Sequence, residues 1–279
     1  MQIAGTKPLV ATLQQQRLEQ DHQVQNLFTE ILMEAGREGY ASAEPLETSG
    51  PRTEAIQSTW NDWFNLEMTG RYRGAEQPME LKQQFGELLQ RGYQEGAYAT
   101  PKAFLSSLSK SELEVVQNVH WLAEPPQIES LTEEGALNLM LPPVAQVDVN
   151  GDGLTQSGAA YGLRFPDSRT PADVATAWEQ ATEGMSWGEK AIHVLQIKAP
   201  VLLANIVLDA NGAYSHSYEP GDPEFVNPLA ADDYSYVQVT RDHLASLEYF
   251  KNQTDPIHYA KETAFWKNFQ QQLLETGAT

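Results

Sequence analysis

The sequence predicts a mainly α protein, a multi-helix, bundle-like chain in two lobes. Three observations lead there. Apolar residues recur at three- and four-residue spacing through most of the chain. Helix-opening signals stand before those runs, and glycines stand behind several of them. Only one segment, residues 200–219, reads equally well for strand.

Taken in order, Leu9, Leu13, Val24, Leu27, Phe28, Ile31 and Leu32 trace a first helix that ends at Gly36. Residues 37–52 (REGYASAEPLETSGPR) lose the period and gain Gly, Pro and Ser, so a surface loop is expected. Ile56, Trp60, Trp63 and Phe64 give a second helix with an aromatic inner face, closing at Gly70. Leu81, Phe85, Leu88 and Leu89 mark a third, closing near Gly92 or Gly96. Thr100-Pro101 and Thr170-Pro171 each place a capping side chain before a first-turn proline. Ser109…Glu112, Ser130…Glu133 and Ser186…Glu189 fit the capping box, in which each side chain satisfies the other residue's exposed N–H. Asp255-Pro256 opens a last helix through Ile257, Ala260, Ala264, Phe265 and Leu273.

The exception is PVLLANIVLDANGAYSHSYE, residues 200–219. One reading is a small β-hairpin turning at Asn211-Gly212. The other is a buried helix from Pro200 that stops at the same pair. Helical neighbours favour the second. The Leu141-Pro142-Pro143 step divides the chain into two expected regions. Residues 1–141 form an N-terminal helical region, and 142–279 a C-terminal helical region that carries an Asp/Asn-rich loop.

Composition limits the function classes. The chain has 279 residues, 41% hydrophobic and 20% charged, which is globular and not disordered. No apolar run approaches the roughly 18–20 residues of a membrane span, so no membrane insertion is expected. The opening MQIAGTKPLVATLQQQ lacks the apolar centre of a secretory signal; with Met1 as the natural start, a cytoplasmic location follows. The absence of cysteine excludes disulfides, thiolate metal sites and cysteine nucleophiles. Acidic residues outnumber basic ones 38 to 18, a formal charge of −20. Such a surface repels phosphate backbones and anionic lipid and favours cations and basic partners. Solubility alone also accounts for an acidic excess.

One motif carries chemistry. In VDVNGDGLTQSG, residues 147–158, Asp148, Asn150 and Asp152 occupy alternate positions and Gly153 follows at once. Ca2+ takes six to eight hard oxygen ligands, and three oxygens from alternate residues converge only where the chain wraps tightly around a glycine. Over residues 148–159 the stretch resembles the D-x-N-x-D-G half of the calcium loop of EF-hand-like proteins. The resemblance implies a single calcium ion held by Asp148, Asn150 and Asp152, with the Leu154 carbonyl as a further ligand and Gln156 holding a water. The pattern departs from the family at Thr155, where a branched apolar residue is usual, and at Ala159, where a bidentate Glu belongs. The VAQV lead-in also reads as extended, not helical. Asp167 or Asp173 could reach back to complete the shell. The competing reading is a tight turn, since Asn, Asp and Gly favour turns for backbone reasons.

Nothing else has diagnostic spacing. The six histidines form no HExxH and no close pair; His120 and His193 lie at helical spacing among apolar residues and read as hydrogen-bonded core. The aromatics Trp60, Trp63, Phe64, Trp178, Trp187, Phe265 and Trp266 read as core. Residues 209–233 gather Asp209, His216, Glu219, Asp222, Glu224, Asp232 and Asp233 in a Gly/Pro-interrupted loop. The leading expectation is a non-catalytic protein with one structural calcium loop, binding a protein partner through an acidic or aromatic surface. A hydrolase or lyase using the 209–233 loop comes second. A role linked to export or assembly, from the Gln-rich N-terminal helix, comes third.

Overall fold

The fold follows from where the apolar stripes find each other. A computed structural model of the chain describes residues 12–46 and 50–278. It is 58% helix, with ten α-helices and two small two-stranded antiparallel sheets. The first six helices are α1 (Leu13–Glu34), α2 (Arg52–Glu67), α3 (Pro78–Gln94), α4 (Pro101–Ser107), α5 (Lys110–His120) and α6 (Glu133–Leu139). A hairpin of β1 (Thr155–Ser157) and β2 (Ala160–Gly162) follows, then α7 (Ala172–Ala181) and α8 (Trp187–Leu203). A second hairpin, β3 (Ile206–Leu208) and β4 (Tyr214–Ser217), precedes α9 (Tyr236–Tyr249) and α10 (Pro256–Thr276). Leu9 lies outside the described residues. Among those described, no helix is long and apolar enough to cross a membrane.

Burial sorts into two apolar clusters. The buried residues of the first lie within 24–147, and in it Trp60 stacks on Trp63 at 5.5 Å and meets Phe64 and Phe85. The second draws on residues 165–278, where α7 and α9 both pack on α10 and Trp178 meets Phe165, Phe265 and Phe269 edge to face. Polar ties join the two clusters. His22 of α1 meets Glu179 of α7 at 2.7 Å, Gln15 donates to Glu183, and the Ala41 N–H reaches the Ser168 carbonyl at 2.8 Å.

Residues 200–219 are both things in succession. α8 continues through Pro200 to Leu203 and then gives way to β3 and β4. The break is made by Asn205, whose buried amide donates to the Val201 carbonyl at the helix end and to the Val226 carbonyl of the returning chain. The hairpin turns on Gly212 (φ +78°), with the Asp209 carboxylate accepting the N–H groups of Asn211 and Ala213.

Several expectations are corrected. Ser130 sits in a 3-10 turn, and the cap of α6 is Thr132, which accepts the Gly135 N–H. Thr100 and Thr170 precede helices without capping them by side chain; the Thr170 hydroxyl bonds Asp167 instead. The lead-in to the Asp/Asn loop contains a 3-10 turn at Pro143–Ala145 and is not simply extended. Trp187 is 86% exposed and belongs to no core.

Candidate functional site

The loop at 147–158 sits between the two clusters, and most of its backbone N–H groups and several of its carbonyls are taken by side chains. That is the accounting a buried irregular segment demands. Asp148 is the hub: one carboxylate oxygen accepts the Gly151 N–H at 2.7 Å and the other the Gly153 N–H at 2.9 Å. Asn150 accepts the Asp152 N–H at 3.0 Å, and Asp152 accepts the Leu154 N–H at 2.8 Å. Gly151 and Gly153 take φ of +75° and +84°, where a side chain would be strained. A Cβ at Gly153 would also lie 2.8 Å from Asn227.

The remaining groups are bound from both halves of the chain. From α6, Glu134 reaches across to accept the N–H groups of Val149 (2.9 Å), Asn150 (3.3 Å) and Gln156 (2.7 Å). From the other side, Arg169 donates to the carbonyls of Asp148 and Val149 at 3.0 and 2.8 Å. Asn227 donates to the Gly151 carbonyl at 2.9 Å. Lys198 of α8 donates to the Gly153 carbonyl at 2.9 Å and pairs with Asp167. Glu134, Asp148 and Lys198 are only 5%, 3% and 1% exposed. Burial pushes the Glu134 carboxyl up to about 7, against the opposing pull of its three N–H donors. Burial likewise raises Asp148, partly offset by the two glycine N–H groups.

The predicted ligands fare unequally. Asp148, Asn150 and Asp152 are brought together; the Asn150 amide also donates to Asp152 at 3.0 Å. Leu154 follows them with its side chain buried. Gln156 is drawn away: its amide oxygen accepts the Thr132 hydroxyl, because the residue lies on β1 facing α6. Asp167 is spent on Lys198 and on the Thr170 hydroxyl and Arg169 N–H. Asp173 accepts the adjacent Val174 N–H and lines a cavity of about 250 Å3 with Arg169 and Tyr234. Among the described residues no group of three or more His, Asp or Glu side chains is placed to hold a metal ion. The loop contributes two carboxylates and one amide.

Residues 209–233 do not converge. His216 is exposed, with its ring against Tyr218 and its Nδ1 beside the Ser215 hydroxyl. Asp209 serves its own turn, and Asp222 accepts the Glu219 N–H. His120 and His193 are core residues: His120 bonds the Leu139 carbonyl and Gln146, with burial lowering it to about 3, and His193 stacks on Phe265.

Sequence reasoning missed the loop's anchors, Glu134, Arg169, Lys198 and Asn227. One signal was present: Lys198 is a lone charge in the apolar run IHVLQIKAPVLL, and a lysine there needs a buried partner. No known protein family matches the chain, and no curated protein or solved structure is similar to it.

Proposed function

We propose that this is a non-catalytic interaction protein whose two apolar cores are latched by the 147–158 loop, and that the loop takes one calcium ion as a structural element. The supporting observation is the alternation of Asp148, Asn150 and Asp152 with each side chain fixed by a backbone N–H of its own loop. Each such bond occupies one lone pair, and a carboxylate or amide oxygen has another to offer a cation. The ligands are Asp148, Asn150, Asp152 and the Leu154 carbonyl. With Asp167 committed to Lys198 and no bidentate carboxylate at Ala159, affinity belongs at the weak end of the calcium range, about 10⁻⁴–10⁻³ M. An ion of that affinity stabilises and does not switch. The partner is a protein met through the acidic or aromatic surface.

Thermal unfolding in EDTA, in 10 mM magnesium and in 10 mM calcium tests the ion. At about 10–100 times such a Kd, native-state binding adds roughly 1.4–2.7 kcal/mol. Each kcal/mol moves the Tm of a chain this size by about 2–4 °C. A calcium-specific rise of about 3–10 °C is expected, and it should fall or vanish in Asp152→Asn, which removes a charged ligand and keeps an amide oxygen for the Leu154 N–H. No rise in the parent chain would leave the loop as an all-protein latch and end the calcium reading.

A further inference from the structure

α8 is apolar on both sides. Its inner side carries His193, Ile197 and Val201, all buried; Ile197 belongs to the second cluster and His193 stacks on its Phe265. Its outer side carries Ile192, Leu195, Leu202 and Leu203, which are 53, 52, 42 and 64% exposed. A helix with one face in water ordinarily puts polar groups on that face, and one that is hydrophobic all round is ordinarily covered. The chain then runs straight into β3, whose Ile206 and Leu208 are exposed on one face of the strand. Among the described residues β3 pairs only with β4, so its other edge has no strand beside it. Exposed edges of this kind are normally protected by charge or by a neighbour. Here neither is present: Lys198 is buried, and no charged side chain is exposed between Lys190 and Asp209.

We propose that this surface joins two copies of the chain, α8 against α8 about a two-fold axis with the hairpins flanking. An apolar stripe is its own complement in such an isologous contact. With Tyr214 on the hairpin, these exposed residues offer at most roughly 700 Å2 per copy, close to the roughly 800 Å2 that each partner contributes to a standard-size interface. Apolar exposure of that size on one helix and the hairpin that follows it exceeds what monomers usually leave open. A basic partner is not what the face itself selects, since it presents no exposed carboxylate between Glu189 and Asp209. Acids ring it instead: from 199 to 240 there is no Lys or Arg, while Asp209, Glu219, Asp222 and Glu224 follow the stripe. Repulsion between copies therefore acts at the rim, where salt screens it. The inference stands independently of the calcium reading.

Sedimentation velocity of the full chain from about 1 to 100 µM, in 50 and 500 mM NaCl, tests it. The expected result is a concentration-dependent shift from one chain to two, stronger at high salt. Leu195→Glu/Leu202→Glu changes only exposed positions, so its circular dichroism should match the parent while dimer affinity falls at least about 100-fold. Met33→Glu, on an exposed position of α1, should leave dimerisation unchanged. A single-chain mass at every concentration and salt would overturn the proposal, as would a dimer indifferent to the double substitution.

Discussion

Lys198 does at residue scale what the loop could not do alone. Its ammonium is buried, and its two recorded partners are the Gly153 carbonyl and the Asp167 carboxylate. Breaking a buried pair from one side is costly because the other charge remains. Lys198→Met should therefore lower unfolding free energy in urea by about 3–5 kcal/mol. Adding Asp167→Asn, which removes the orphaned charge, should restore part of the loss. The Asp148-Asn150-Asp152 alternation was legible because it is local. Glu134 and Lys198 were not, since their partners lie up to 22 and 45 residues away. Only burial reveals what such charges are for.

Elements show the same division between local and distant causes. The capping boxes at Ser109…Glu112 and Ser186…Glu189 form as their sequences imply, and Asp255 caps α10. The Ser130…Glu133 box fails because Thr132 competes two residues on, and the turn it makes aims Glu134 at the loop. α6 also illustrates how packing overrides propensity. Alanine for glycine inside a helix ordinarily gains about 1 kcal/mol, but a Cβ on Gly135 would lie 2.1 Å from the Gly158 carbonyl oxygen of the β1–β2 turn. Gly135→Ala should instead cost at least about 2 kcal/mol in urea unfolding, because that neighbour is backbone.

The α1 seam titrates. Half-buried Asp21 accepts the Trp63 indole N–H at 2.7 Å, and burial raises its carboxyl from 3.8 to about 6. An acid whose folded pKa is raised binds more protons folded than unfolded, so its contribution is lost as pH climbs from about 4 through 6. His22, held above its ordinary value chiefly by its bond to Glu179, contributes fully below 6.5 and loses that contribution as pH rises through its raised folded value. Buried His120, lowered to about 3, acts the opposite way between about 3 and 6.5, so the seam is read by difference: chemical unfolding from pH 4 to 7 should show the parent losing about 2 kcal/mol relative to Asp21→Asn, partial exposure allowed for.

At the scale of the whole molecule, the mainly α character was readable from periodicity alone, because helices declare their inner faces within a few turns. How residues 200–219 resolve was not. Periodicity supports a helix there and Asn211-Gly212 supports a hairpin, and the choice of where one becomes the other rests on Asn205 meeting Val226, 21 residues on. The outer stripe of α8 was also hidden in plain composition, since a sequence does not say which of two apolar faces will find a partner within the chain.

The division of the apolar clusters has a consequence for biosynthesis. The buried residues of the first cluster end at Val147 and its outermost packed residue is Val149, so it can close while the second half of the chain is still being made on the ribosome. Glu134 precedes the loop, and with the loop's own side chains it supplies most of the N–H partners; the Ser168 hydroxyl, which accepts the Asp148 N–H, comes later. Asn138, already made, donates to the Val147 and Gln156 carbonyls, while the other side-chain donors, Arg169, Lys198 and Asn227, emerge later and in that order. The loop thus waits half-satisfied as the nascent chain lengthens, and the arrival of Asn227 completes the set of side-chain donors to its carbonyls.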